Sequence, residues 1–118
     1  MEFDNILEIS LLYDFYGQLL SNRQREVMSL YHEENLSLSE IADEFGISRQ
    51  GVHDTLKKAE KALQGYEDKL GLVSRFEETG RLIASIDDKM GRLIEENQDN
   101  EALVESLREI RAEIDEME

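Results

Sequence analysis

The sequence contains no cysteine and no proline, carries only two histidines, and sets 13 Lys and Arg against 28 Asp and Glu. Without cysteine there can be no disulfide and no thiolate metal site, and His32 and His53 lie too far apart to suggest a histidine-based metal site. His32 reads as a surface residue at a helix end. No apolar run approaches the ~20 residues that a membrane span needs. The acidic start Met1-Glu2-Phe3-Asp4 lacks the basic segment of a signal peptide, which points to a cytoplasmic protein. No Gly-rich or alternating segment suggests a sheet. Also missing are a phosphate-binding loop, a Ser or Cys nucleophile with a plausible His base, a zinc-protease helix and an EF-hand loop. An all-helical chain of 118 residues offers little room for an enclosed pocket, so neither catalysis nor a cofactor is expected.

What is present in excess is negative charge. The formal net charge is -15, which opposes phosphate binding, since that normally draws on a positive surface. The distribution is uneven. Residues 1–20 hold four acids and no Lys or Arg, residues 21–66 hold six bases against eight acids, and residues 67–118 hold seven against sixteen. The middle of the chain is therefore nearly balanced, although a negative field over the whole molecule slows approach to nucleic acid.

That balanced stretch contains the most specific local pattern. Ser37 with Glu40 three residues on has the form of a capping box, opening a helix with Ile41, Ala42 and Phe45 on its apolar stripe. Gly46 is the residue most able to adopt the left-handed conformation that ends a helix. Ser48 can cap a second helix, on which Val52, Leu56, Ala59 and Leu63 share one face and Arg49, Gln50, His53, Lys57 and Lys61 another. A small residue at position 42 lets the two helices cross closely, as in a helix-turn-helix. An Arg-Gln pair opening the second helix matches a recognition helix, whose N-terminal residues reach base edges.

The remaining segments also read as helices. Residues 3–17 place Ile6, Ile9, Leu12, Tyr13 and Tyr16 near one face and end at Gly17; the aromatics Tyr13, Phe15 and Tyr16 read as core. Ser21 with Gln24 is a second capping box, opening a helix to about Glu33 with Val27, Met28, Leu30 and Tyr31 inward. Three helices thus precede the recognition helix, which extends through Leu63, with Gly65 marking an end, fraying or a kink. Beyond it, Leu72, Phe76, Thr79, Ile83, Ile86, Met90 and Leu93 form a heptad seam interrupted by Gly80 and Gly91. Asn97 to Asn100 reads as a turn and cap. Leu103, Leu107, Ile110, Ile114 and Met117 then repeat the spacing. Glu77, Glu78, Asp87, Asp88, Glu95 and Glu96 read as a solvated face rather than a metal site. The two helices can fold into an antiparallel hairpin or pair with a second copy.

Several of these blocks resemble one family. Leu11-Leu12-Tyr13-Asp14-Phe15-Tyr16-Gly17-Gln18-Leu19-Leu20, then Arg23-Gln24-Arg25, Leu38 to Phe45, and Ser48-Arg49-Gln50 occur in the order and separation of the YlxM/p13-like proteins of Gram-positive bacteria. The resemblance covers roughly residues 6–76. The helix-turn-helix part by itself is similar to region 4 of bacterial sigma factors (sigma-70 type). The chain departs from the family pattern at Gly51, where Ala is usual, and at His53, where Tyr is usual. The resemblance implies an all-helical fold and a regulatory or accessory role in the signal recognition particle pathway. It also implies the particle's RNA, its GTPase, or DNA controlling them as partners.

The expectation is therefore an all-α protein: residues 1–69 form a sigma-region-4-like bundle with the helix-turn-helix at 37–64, and residues 70–118 an acidic helical hairpin or coiled-coil-like tail. Nucleic-acid contacts are expected from Arg49, Gln50 and His53 toward bases or 2′-hydroxyls, and from Lys57, Lys58 and Lys61 toward phosphate. The C-terminal helices are a candidate homodimer seam. The competing expectation is a protein-binding module that keeps the helix-turn-helix shape without using it on nucleic acid.

Overall fold

The computed structural model describes residues 2–117, with side chains for residues 6–117. Among these, every regular element is helical: α1 (Glu2–Tyr16), α2 (Asn22–Met28), α3 (Leu38–Phe45), α4 (Arg49–Leu70), α5 (Leu72–Glu96) and α6 (Glu101–Asp115). A short 3-10 turn, Gly17–Leu19, follows α1, and a π turn, Ser29–Glu33, follows α2. The chain divides into two compact units, Met1–Val73 and Ser74–Glu118.

In the first unit the predicted caps form. Ser21 Oγ accepts from Gln24 N at 3.2 Å while Ser21 N donates to Gln24 Oε1 at 3.2 Å, so two free N–H groups at the start of α2 are satisfied together. Gly17 ends α1 by a different device from a left-handed cap. It is buried, and a Cβ there would come within 3.0 Å of the Tyr13 ring, so glycine lets the 3-10 turn fold back under that aromatic. The π turn closes with Glu34 N donating to Ser29 O, and Asn35 takes a left-handed φ of 58°, as asparagine does more readily than most residues.

Three expected side-chain placements are corrected here. Phe15 and Tyr31 lie at the surface rather than in the core, 37% and 38% exposed. His32 is half-buried in the π turn, packed edge-on against Tyr31. Its buried Nε2 has no hydrogen-bond partner among the described residues. Burial pushes its pKa down, partly offset by the Glu60 carboxylate, because a low-dielectric setting disfavours the charged imidazolium.

Tyr16, Val27, Met28, Ile41, Val52 and Leu63 are the largest fully buried side chains, each worth roughly 1.5–3 kcal/mol of transfer free energy. They join Leu12, Leu20, Ala42, Leu56, Ala59 and Val73 in one core. The organising element is α4, which packs against α1, α2 and α3. It also runs further than expected. Gly65 sits within an unbroken helix, and the left-handed cap is Gly71, φ 63°, whose N–H donates to Glu67 O. The extension is held from α1: Tyr16 Oη donates to Glu67 Oε1, Leu72 N donates to Tyr16 Oη at 3.1 Å, and Val73 N donates to Glu67 Oε1 at 3.0 Å. One phenol thus ties α1 to the α4–α5 corner, which outweighs the modest helix cost of one glycine, about 1 kcal/mol.

Burial, followed by the hydrogen bond to Glu67, raises the Tyr16 pKa above the ordinary 10.0. A group whose pKa is raised by folding stabilises the fold fully below its unfolded value and loses that contribution as pH rises through the folded one. Tyr16→Phe is expected to lower the melting temperature by about 5 °C at neutral pH, with the gap from wild type closing above about pH 10. Melts followed by circular dichroism across that range check this; a gap independent of pH would count against the clasp.

In the second unit α5 and α6 form an antiparallel hairpin. Asn100 caps α6, its Oδ1 accepting from Leu103 N at 3.1 Å, and Gly80 and Gly91 do not interrupt α5. The interior is built from Met90, Ile94, Val104 and Leu107, with Ile114 packed against them. The predicted heptad seam is therefore only partly the one used. Ile83, Met90 and Leu107 are buried, but Ile86, Leu93, Leu103 and Ile110 are exposed, and Ile94 and Val104 replace them inside. A polar pair accompanies the rotation. Asp87 is half-buried and takes a bidentate bond from Arg111, Nε to Oδ1 at 2.6 Å and Nη2 to Oδ2 at 3.0 Å, which sets a polar pair beside the seam. Asp87 is thus not part of a purely solvated face. The Arg111 hydrogen bond holds its carboxyl below the ordinary 3.8.

Candidate nucleic-acid interface

The geometry of α3 and α4 follows from their caps. Ser37 Oγ accepts from Glu40 N at 3.1 Å and Ser37 N donates to Glu40 Oε1 at 3.0 Å, a bond that holds the Glu40 carboxyl below its usual range. Gly46 adopts φ 65°, a conformation costly for any residue with a Cβ, and Ile47 N donates back to Ala42 O at 3.1 Å. Ser48 then caps α4 through Gly51 N at 2.9 Å. A Cβ at position 51 would lie 3.2 Å from the Ser48 hydroxyl, so glycine leaves that cap room. Ile41, Ala42, Val52 and Leu56 bury the inner faces of the two helices against each other.

This construction puts the opposite face of α4 in solvent. Arg49, Gln50, His53, Lys57, Lys58 and Lys61 are all exposed. Arg49, Gln50 and His53 line a shallow open depression with Leu38 of α3. At about 100° per residue, Gln50, His53, Lys57 and Lys61 share one face, while Arg49 and Lys58 flank it on opposite sides. The six residues are therefore not one cluster but a central row with two outriders.

Not all of the row is free. The Gln50 side-chain amide donates to Asp54 Oδ1 at 3.0 Å, His53 Nδ1 lies 3.8 Å from the same oxygen, and Lys57 lies 3.8 Å from Glu60. Among the described residues, Arg49, Lys58 and Lys61 make no side-chain hydrogen bond or ion pair. Asp54 is the residue of this face that the sequence reading overlooked. The signal was available, since Gln50 and Asp54 stand at i and i+4, where such side chains meet on a helix. On α3, Glu40, Asp43 and Glu44 are also exposed.

Chemically the surface offers a line of ammonium and guanidinium donors suited to phosphate oxygens. At its N-terminal end, an amide suited to bidentate contact with adenine is at present bonded to Asp54. Among the described residues, no helix is long and apolar enough to cross a membrane.

Comparison with known proteins agrees with this fold. A family model described as "Putative helix-turn-helix protein, YlxM / p13 like" matches residues 3–107. A UPF0122 protein of Thermoanaerobacter sp. is 44% identical over 115 residues, covering 97% of each chain. One of Bacillus mycoides is 41% identical over 102 residues, covering 86% of this chain and 93% of the relative, and one of Desulforamulus reducens is 49% identical over 79 residues, covering 67% and 68%. A match of this extent, joined to the capped α3–turn–α4 unit, leads to one assignment: the chain belongs to the UPF0122 family of YlxM/p13-like helix-turn-helix proteins.

Proposed function

We propose that this protein is a cytoplasmic, non-enzymatic nucleic-acid-binding factor with a regulatory or accessory role in the signal recognition particle pathway. The observation that carries the reading is the exposed row along α4, where Gln50, His53, Lys57 and Lys61 stand in register on a helix whose start is set by the Gly46 turn and the Ser48 cap. In the reading, Lys57, Lys58 and Lys61 engage phosphate, and Arg49, Gln50 and His53 reach bases or 2′-hydroxyls. The assignment to the particle pathway rests on the family resemblance, which supplies the particle's RNA, its GTPase and the DNA controlling them as partners. A second copy of the chain, met through α5 and α6, is a further partner.

A protein-binding module without nucleic-acid contact is the second reading. It is favoured by the net charge of -15 and by Asp54 standing within the basic row. Titration of the full chain into labelled particle RNA and into duplex DNA from the same operon, at low and rising salt, separates the two. The first reading expects binding at low salt that falls with log salt in proportion to the phosphates engaged. No binding to either at low salt leaves only the protein-binding module.

A further inference from the structure

The hairpin buries only part of its apolar surface. Leu82, Ile86 and Leu93 of α5 are 58%, 44% and 45% exposed, and Leu103, Ile110 and Met117 of α6 are 37%, 46% and 73% exposed. Relative to the buried positions Met90 and Ile94, the α5 set is turned by roughly a quarter of the helix circumference. The α6 set is turned by a similar amount from Val104 and Leu107. Because the helices are antiparallel, those two rotations bring both stripes to the same side of the hairpin. The result is one two-helix apolar face, on the order of 500 Å² per copy, beyond what isolated surface hydrophobes account for.

One edge of that face is acidic and the other is of mixed charge. On α6 the outer edge is Glu105, Glu109, Glu113 and Glu116, all exposed and none in an ion pair among the described residues. Three of these stand at i, i+4 intervals, a like-charge spacing that destabilises an isolated helix. On α5 the outer edge carries Lys89, Arg92 and Arg81 together with Glu78 and Glu96, all exposed.

We propose that this face receives a second copy of the chain, with the twofold axis parallel to the helices so that α5 of each copy lies over α6 of the other. The proposal rests on the reading of the C-terminal helices as a self-association element and goes further by naming face and orientation. The alternative twofold, with α6 over α6, sets the glutamate edges against each other. The chosen one brings Lys89 level with Glu109 and one turn from Glu113 of the second copy, as follows from the pairing of Met90 with Leu107 and of Asp87 with Arg111 within the hairpin. Two such faces bury about 1,000 Å² of apolar surface, the size at which a specific interface becomes stable. An isologous contact of this kind closes on itself and does not polymerise.

Sedimentation equilibrium on the full chain reads the outcome. The wild type is expected to be dimeric at about 10 µM, as a nM-to-µM interface requires. Ile86→Glu, at an already exposed position, should give a monomer with unchanged helix content. Lys89→Glu should weaken the dimer about tenfold, and adding Glu109→Lys should restore it, because the exchanged charges meet again across the axis. A wild-type monomer at about 100 µM would overturn both the self-association reading and this face. A dimer that tolerates Ile86→Glu, or that Glu109→Lys fails to rescue, would overturn the face and orientation alone.

Discussion

Replacing Leu63 by alanine is expected to remove about 3–5 kcal/mol from the stability of the first unit. Leu63 is fully buried and belongs to the core shared by α1, α2, α3 and α4. Its deletion leaves a cavity whose lining is fixed by helices on several sides, so collapse recovers little of the lost contact. A domain of this size has about 4–11 kcal/mol in total, and the change therefore consumes much of it. The melting transition should fall by about 20 °C. Leu70→Ala, on the same helix but 55% exposed, should shift it by no more than about 3 °C. A Leu63→Ala melt within about 5 °C of wild type would mean that α4 does not organise the core past Ala59.

The second large effect concerns the basic row. Lys57→Glu combined with Lys61→Glu should weaken binding to nucleic acid about 100-fold at low salt and reduce the salt slope by about two. On the proposed reading two phosphate contacts are lost, and two carboxylates then face the same backbone. The pair is chosen because Lys57 and Lys61 lie one helical turn apart at the centre of the exposed face, whereas Lys58 stands on its flank. Lys58→Glu alone should therefore cost less than either central reversal. Since Lys57→Glu also places a carboxylate near Glu60, where Lys57 now lies 3.8 Å away, helix content is measured alongside. Retained helicity with unchanged affinity would move the interface off this face of α4.

Local chemistry made much of the fold readable in advance. Capping boxes, a left-handed glycine and a serine cap are satisfied within a few residues, so Ser21, Ser37, Gly46 and Ser48 hold the positions their neighbours imply. The exposed basic residues of α4 were readable for a related reason: Val52, Leu56, Ala59 and Leu63 are apolar on one face, and what lies opposite is left to water. Where the reading went astray, the deciding contact came from far along the chain. Gly65 looked like a helix end until Tyr16, 51 residues from Glu67, tied the next turn in place. The hairpin seam was placed on Ile86 and Leu93 because heptad spacing alone tolerates a rotation of one position. In the other setting, which the hairpin adopts, Arg111 reaches Asp87 across 24 residues.

The sequence by itself determined the helical class, the starts of α2, α3 and α4, the turn between α3 and α4, and which residues of α4 face solvent, because each depends on hydrogen bonds and periodicity within one or two turns. Only the tertiary structure decided how far α4 runs and which apolar stripe of the hairpin is inside. Those outcomes depend on partners whose separation in sequence carries no periodic signal, and whose energies are realised only once the helices have packed.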